Sequence, residues 1–114
     1  MQVIFTTAIS QLNWNGLIFG IYKIGCVCEI KIISGALTSA IVAYQTYNIG
    51  IIAHDFIPRC ELAKNIIIYE GVPAKLVIAT NGAATLIPYA ALAKGYTPLI
   101  SETYTCQFSL YATD

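Results

Sequence analysis

The sequence predicts an all-β fold, a compact sandwich or barrel of about eight short strands with one short helix near residues 88–95. Three observations carry that expectation. Near the C-terminus, Tyr104, Cys106, Phe108 and Leu110 alternate with Thr103, Thr105, Gln107, Ser109 and Tyr111. A two-residue period suits a strand with one face in the core, because successive side chains point to opposite faces. Earlier in the chain, Cys28, Ile30 and Ile32 alternate in the same way with Glu29 and Lys31. Third, Asn81-Gly82 separates the apolar runs 75–79 and 83–87. Both residue types tolerate the positive φ of a tight hairpin turn.

In chain order, residues 3–7 read as a first strand and Asn13-Trp14-Asn15-Gly16 as a turn. Residues 17–23 read as a second strand, with Gly20 weakening it or marking a bulge. Residues 26–33 form a third, ended by Ser34-Gly35. Residues 40–47 and 49–54 are apolar enough for two more. Residues 54–65 hold Asp55, Arg59, Glu61 and Lys64 and read as a solvated loop with one helical turn. Residues 66–70 are β-branched and strand-like. Pro88 and Gly95 bracket residues 89–94, and proline at the start with glycine past the end suits a short helix. No repeat, low-complexity tract or linker interrupts the 114 residues, so a single domain is expected.

Composition narrows the function classes. The chain is 57% hydrophobic and only 11% charged, against about 45–50% and about 25% in ordinary globular proteins. Six basic and six acidic side chains are few to cover a monomer's surface. Part of that surface is therefore expected in contacts with copies of the chain or a larger shell. Tyrosine supplies rigid amphipathic contact area, and Tyr44, Tyr47, Tyr89, Tyr96, Tyr104 and Tyr111 are the interface candidates. The net charge is zero, and the closest basic pair is Arg59 and Lys64. Nothing here neutralises phosphates, so no nucleic-acid partner is expected.

The first 22 residues carry no charge, which admits a small membrane-associated subunit as a minor alternative. Thr6, Thr7, Ser10, Gln11, Asn13 and Asn15 interrupt that stretch, and the run 17–28 is short of the ~20 residues a spanning helix needs. Met1-Gln2-Val3 lacks the basic start of a secretory signal. Without one, Cys26, Cys28, Cys60 and Cys106 are expected reduced and mostly buried. Cys26 and Cys28 share one face of a strand, at a spacing that makes a mutual bond difficult.

No catalytic, cofactor or metal site is expected. His54 is the only histidine and lies beside Asp55. Neighbours in a strand point to opposite sides, so adjacency makes no dyad. Cys26, Cys28, Cys60 and His54 lack the paired spacing of structural zinc ligands. The serines Ser10, Ser34, Ser39, Ser101 and Ser109 sit in no nucleophile elbow. The glycines form no phosphate loop or dinucleotide fingerprint. The carboxylates Glu29, Asp55, Glu61, Glu70, Glu102 and Asp114 are scattered singly.

Ile49-Gly50-Ile51-Ile52-Ala53-His54-Asp55, a polar loop, and Ile66-Ile67-Ile68-Tyr69-Glu70-Gly71-Val72 follow one another in the middle of the chain. This pattern resembles the head-decoration or capsid-cement proteins of tailed phages. The resemblance implies a small β-rich protein that binds an assembled capsid, commonly as a trimer, and strengthens it. No catalytic residues carry over. The expected function is thus a structural assembly protein of a virion or shell, partnered by copies of itself and by a major capsid protein or other shell subunit. The alternative is an extracellular filament subunit that exchanges strands with its neighbours.

Overall fold

The computed structural model describes the backbone of residues 3–5 and 7–113 and the side chains of residues 8–107. Its strands are β1 Val3–Phe5, β2 Thr7–Trp14, β3 Leu17–Gly35, β4 Tyr47–Ile51, β5 Leu62–Tyr69, β6 Val72–Ile78, β7 Ala83–Pro88 and β8 Ser101–Thr113. A 3-10 turn covers His54–Phe56. The strands form two antiparallel sheets in the orders β1-β8-β3-β2 and β4-β7-β6-β5. The fold is all-β, and no helix among the described residues is long and apolar enough to cross a membrane.

Strand β3 is a single run of 19 residues that doubles back on itself. On a straight strand Tyr22 and Lys31 would lie about 30 Å apart. Instead the Lys31 ammonium sits 4.9 Å from the centre of the Tyr22 ring. A Cβ on Gly20 would meet Ile33, and one on Gly35 would meet the Gly16 carbonyl at 2.1 Å. The reversal falls at Gly25, whose φ is 59°. Two arms result, 17–24 and 27–35. The first pairs with β2, from Thr7↔Ile24 to Trp14↔Leu17. The second pairs with β8, from Val27↔Thr105 to Lys31↔Ser101. Doubling back also explains the burial phase. Leu17, Phe19, Ile21 and Lys23 are buried at odd positions, and Cys28 and Ile30 at even ones. Across a tight reversal, an odd residue of one arm faces an even residue of the other.

The inner faces of the two sheets meet in one core. Leu17, Phe19, Ile21 and Ile30 lie on one side, and Ile68, Leu76, Ile78 and Leu86 on the other. Each such side chain contributes about 1.5–3 kcal/mol when fully buried. Register in the second sheet sets Leu76 beside Leu86 and Ile66 beside Ala74 on the inner face.

Two turns show how Asn-Gly is used. At Asn15-Gly16 both residues have positive φ, 50° and 80°, and Trp14 pairs directly with Leu17. At Asn81-Gly82 only Gly82 is positive, at 94°. There the Gly82 N–H donates to the Ala79 carbonyl and the Asn81 side chain accepts from the Ala83 N–H. The expected hairpin is present, with residues 80–82 as its loop, closed by a glycine bulge.

Three expectations are corrected. Residues 88–95 form no helix. Pro88 ends β7, the Tyr89 N–H donates to the Pro73 carbonyl, and Leu92 and Ile41 exchange two backbone hydrogen bonds. Six residues between proline and glycine are too few to offset helix nucleation when a neighbouring segment offers partners. The strand expected over residues 40–47 is absent up to Tyr47, where β4 begins; before it only the Ile41–Leu92 bridge forms, because Tyr44 turns the chain at φ 64° on its way between the sheets. The segment 54–65 is not a continuous solvated loop. Phe56, Ile57 and Pro58 are buried, and β5 already begins at Leu62.

Candidate functional site

The chemistry-bearing side chains gather in a row across the inner face of the first sheet, beneath the 3-10 turn. Cys28 lies directly opposite Tyr104 on β8. Lys23 occupies the other arm of β3, near enough to act electrostatically on the Cys28 thiol. Cys106, two residues beyond Tyr104, shares its face. Lys23, Cys28, Tyr104 and Cys106 are all buried. Above them lie the backbone carbonyls of Asp55 and Phe56. The Lys23 ammonium donates to the Asp55 carbonyl and lies 5.7 Å from the centre of the Phe56 ring. The Tyr104 hydroxyl donates to the Phe56 carbonyl at 2.7 Å. The Cys28 sulfur lies 4.0 Å from the same oxygen.

Burial pushes the Cys28 thiol up to about 12. The adjacent Cys106 adds to the shift, while the Tyr104 hydroxyl and the Lys23 charge oppose it. Burial, reinforced by Cys28, also raises the Tyr104 phenol. At neutral pH both groups keep their protons and act as donors. A protonated buried thiol is a poor nucleophile. The row is therefore suited to holding the connection between β4 and β5 over the end of the sandwich.

The interface candidates divide. Tyr44 is 74% exposed and Tyr96 44% exposed. Tyr44 stacks on the half-buried Tyr89 at 5.9 Å, and Tyr96 on Tyr69 at 5.0 Å. Tyr89 also donates to Asn65 at 3.3 Å. Tyr47 packs against Trp14, and its hydroxyl accepts from the Val42 N–H at 2.7 Å. Tyr104 is a buried core residue. Tyr111 lies in β8 with its side chain outside the described residues. Aliphatic side chains dominate the exposed hydrophobics instead, with Ile51 at 71%, Leu99 at 66% and Ile9 at 63%.

His54 and Asp55 do meet, with Nδ1 and Oδ1 3.3 Å apart and both side chains 76% exposed. They sit on a 3-10 turn, so the opposite-sides rule for strands does not apply. No group of three or more metal-ligating side chains gathers among the described residues. None of the four cysteines is in a disulfide. Cys28 and Cys106 are buried, Cys26 is half-buried and Cys60 is exposed.

The sequence alone missed the buried row. Lys23 is the one charged residue in the apolar run 17–28. The usable signal was its place in the inward phase, after Leu17, Phe19 and Ile21. No protein-family model matches the chain, and no curated protein matches it.

Proposed function

We propose that the chain is a structural assembly subunit that associates with copies of itself and with a larger shell through the outer face of its first sheet. The observation that carries this reading is the aliphatic stripe on that face. Ile9 on β2, Ile24 and Val27 beside the reversal of β3, and Ile33 further along are all exposed. A stripe of this kind, on a chain with so few charges, favours association. Decoration of a virion or shell is the specific form we favour, with a major shell protein as the second partner.

Strand exchange into a filament is the second reading. Its support is β1, an edge strand held to β8 by the three pairs Val3↔Thr113, Ile4↔Ala112 and Phe5↔Tyr111. A donated strand normally completes a neighbour's unfinished sheet. Here each sheet already has four strands and the core between them is closed, which favours surface association. Sedimentation at micromolar concentration tests the proposal. An oligomer that dissociates when Ile9 and Ile24 are both replaced by lysine supports it, and a wild-type monomer refutes it.

A further inference from the structure

Cys28 and Cys106 are the two fully buried thiols, and the fold brings them together from opposite thirds of the sequence. Register puts Cys28 opposite Tyr104, so Cys106 is its diagonal neighbour on the same inner face. Both lie under the turn that follows β4. Cys28 reaches toward the Phe56 carbonyl, and the backbone of Cys106 bridges to Pro58. Cys106 is close enough to Cys28 to add to the upward shift of its thiol. In a regular sheet, diagonal neighbours are about 7–8 Å apart, whereas a disulfide needs a Cβ separation of roughly 3.5–4.5 Å. Slack is available at this point. Between Val27↔Thr105 and Gly25↔Leu110, β8 advances five residues while β3 advances two. Cys106 lies in that irregular stretch, outside the β3–β8 ladder, and its backbone is held instead by the bridge to Pro58.

We propose that Cys28 and Cys106 are a modification site, joined as an intramolecular disulfide when the chain folds in the presence of a small-molecule disulfide such as oxidised glutathione. One thiolate attacks the small disulfide and releases one reduced thiol. The second protein thiolate then attacks the mixed disulfide and releases the other. An S–S bond forms between the two Sγ atoms. The two electrons reduce the small disulfide, and the two protein protons end on its products. The bridge forms before the core closes, because a buried, protonated thiol exchanges slowly. Burial then shields it from reductants. It ties β3 to β8 and closes a loop containing most of the chain, where the restriction of the unfolded state is large.

The test is to refold the full chain from denaturant in a glutathione redox buffer and block remaining thiols with iodoacetamide. Trypsin cleaves after Lys23, Lys31 and Lys94, and the non-reduced digest is mapped by mass spectrometry. The expected result is a linked pair of peptides, 24–31 with 95–114, which persists in the Cys26→Ser variant. The thermal midpoint should rise by roughly 10 °C over the reduced protein and fall back on reduction under denaturing conditions. Four alkylated cysteines after oxidative refolding, or a bridge mapped to Cys26 or Cys60, would overturn the proposal. Neither outcome depends on whether the chain assembles, because the map is read on wild-type and Cys26→Ser protein alone.

Discussion

Lys23 is the residue least expected from its surroundings: a cation 1% exposed in a β-sandwich core. Among the described residues no carboxylate pairs with it. Its partners are a carbonyl and a ring face, which hold the charge without a counter-ion. Replacing Lys23 by methionine removes a desolvated cation but also the hydrogen bond it gives the Asp55 carbonyl, and the two effects oppose each other. Lys23→Met should therefore stay within about 1 kcal/mol of wild type. Tyr104→Phe differs, because it withdraws the 2.7 Å bond to the Phe56 carbonyl and leaves only the distant thiol. It should lose about 1–2 kcal/mol, read from urea unfolding midpoints. The Cys28 thiol gives a pH prediction. Its folded value, about 12, lies above its ordinary value of 9.0. The unfolded chain thus releases its proton first as pH rises, and stability falls with pH. The loss should develop between pH 9 and pH 12, and the Cys28→Ala variant should show a shallower fall over that window. An unchanged slope in the variant would assign the alkaline loss elsewhere.

At the level of elements, the hairpin between β2 and β3 does more than reverse the chain. Asn15 takes positive φ, and its side-chain oxygen accepts from the Thr38 hydroxyl at 2.9 Å and the Ser39 N–H at 3.0 Å. Its amide donates to the Ser39 carbonyl at 3.0 Å. One side chain therefore sets the turn and anchors the crossover that leaves the end of β3. Gly16 completes the turn, where a Cβ would meet the Ala36 carbonyl at 2.3 Å. Asn15→Ala loses these three bonds and the tolerance for left-handed backbone. It should destabilise by roughly 2–3 kcal/mol in chemical denaturation. A change below about 0.5 kcal/mol would show that the anchor contributes little. The helix expected near residues 88–95 is absent for a related reason. Its backbone groups find partners on Pro73, Ile41 and Leu37, and those bonds exist only once distant segments are assembled.

The whole molecule exposes 6122 Å². A compact monomer of 12.4 kDa is expected to expose about 6,100 Å². The chain is thus as well closed as an ordinary monomer, and what sets it apart is the chemistry of its surface. Burying even ~800 Å² of apolar area contributes on the order of 20 kcal/mol before association costs of ~4–15 kcal/mol and side-chain ordering. On the proposed reading, that balance favours association. Replacing Ile9 and Ile24 by lysine should shift the sedimentation coefficient to that of a monomer at micromolar concentration. The thermal midpoint of each protomer should change little, because both side chains already face water within the protomer.

Local sequence was enough to establish the all-β class, a reversal within residues 13–16 and the inward phase of β8 at residues 104 and 106. Alternation and turn propensity act over a few residues, and a strand exposes its period wherever one face is buried. The two strands read at residues 17–23 and 26–33 correspond to the two arms of β3. Which of six candidate tyrosines would reach the surface was not legible. Tyr104 obeys the same alternation as any sheet residue, and only the placement of Phe56 above it makes it a core donor. The row of Lys23, Cys28, Tyr104 and Cys106 was equally hidden. Its members come from both ends of the chain, and they meet because β8 lies beside β3 in the sheet. Strand pairing over such sequence distances is a property of the assembled core, where the burial of two complementary faces selects one partner for each edge.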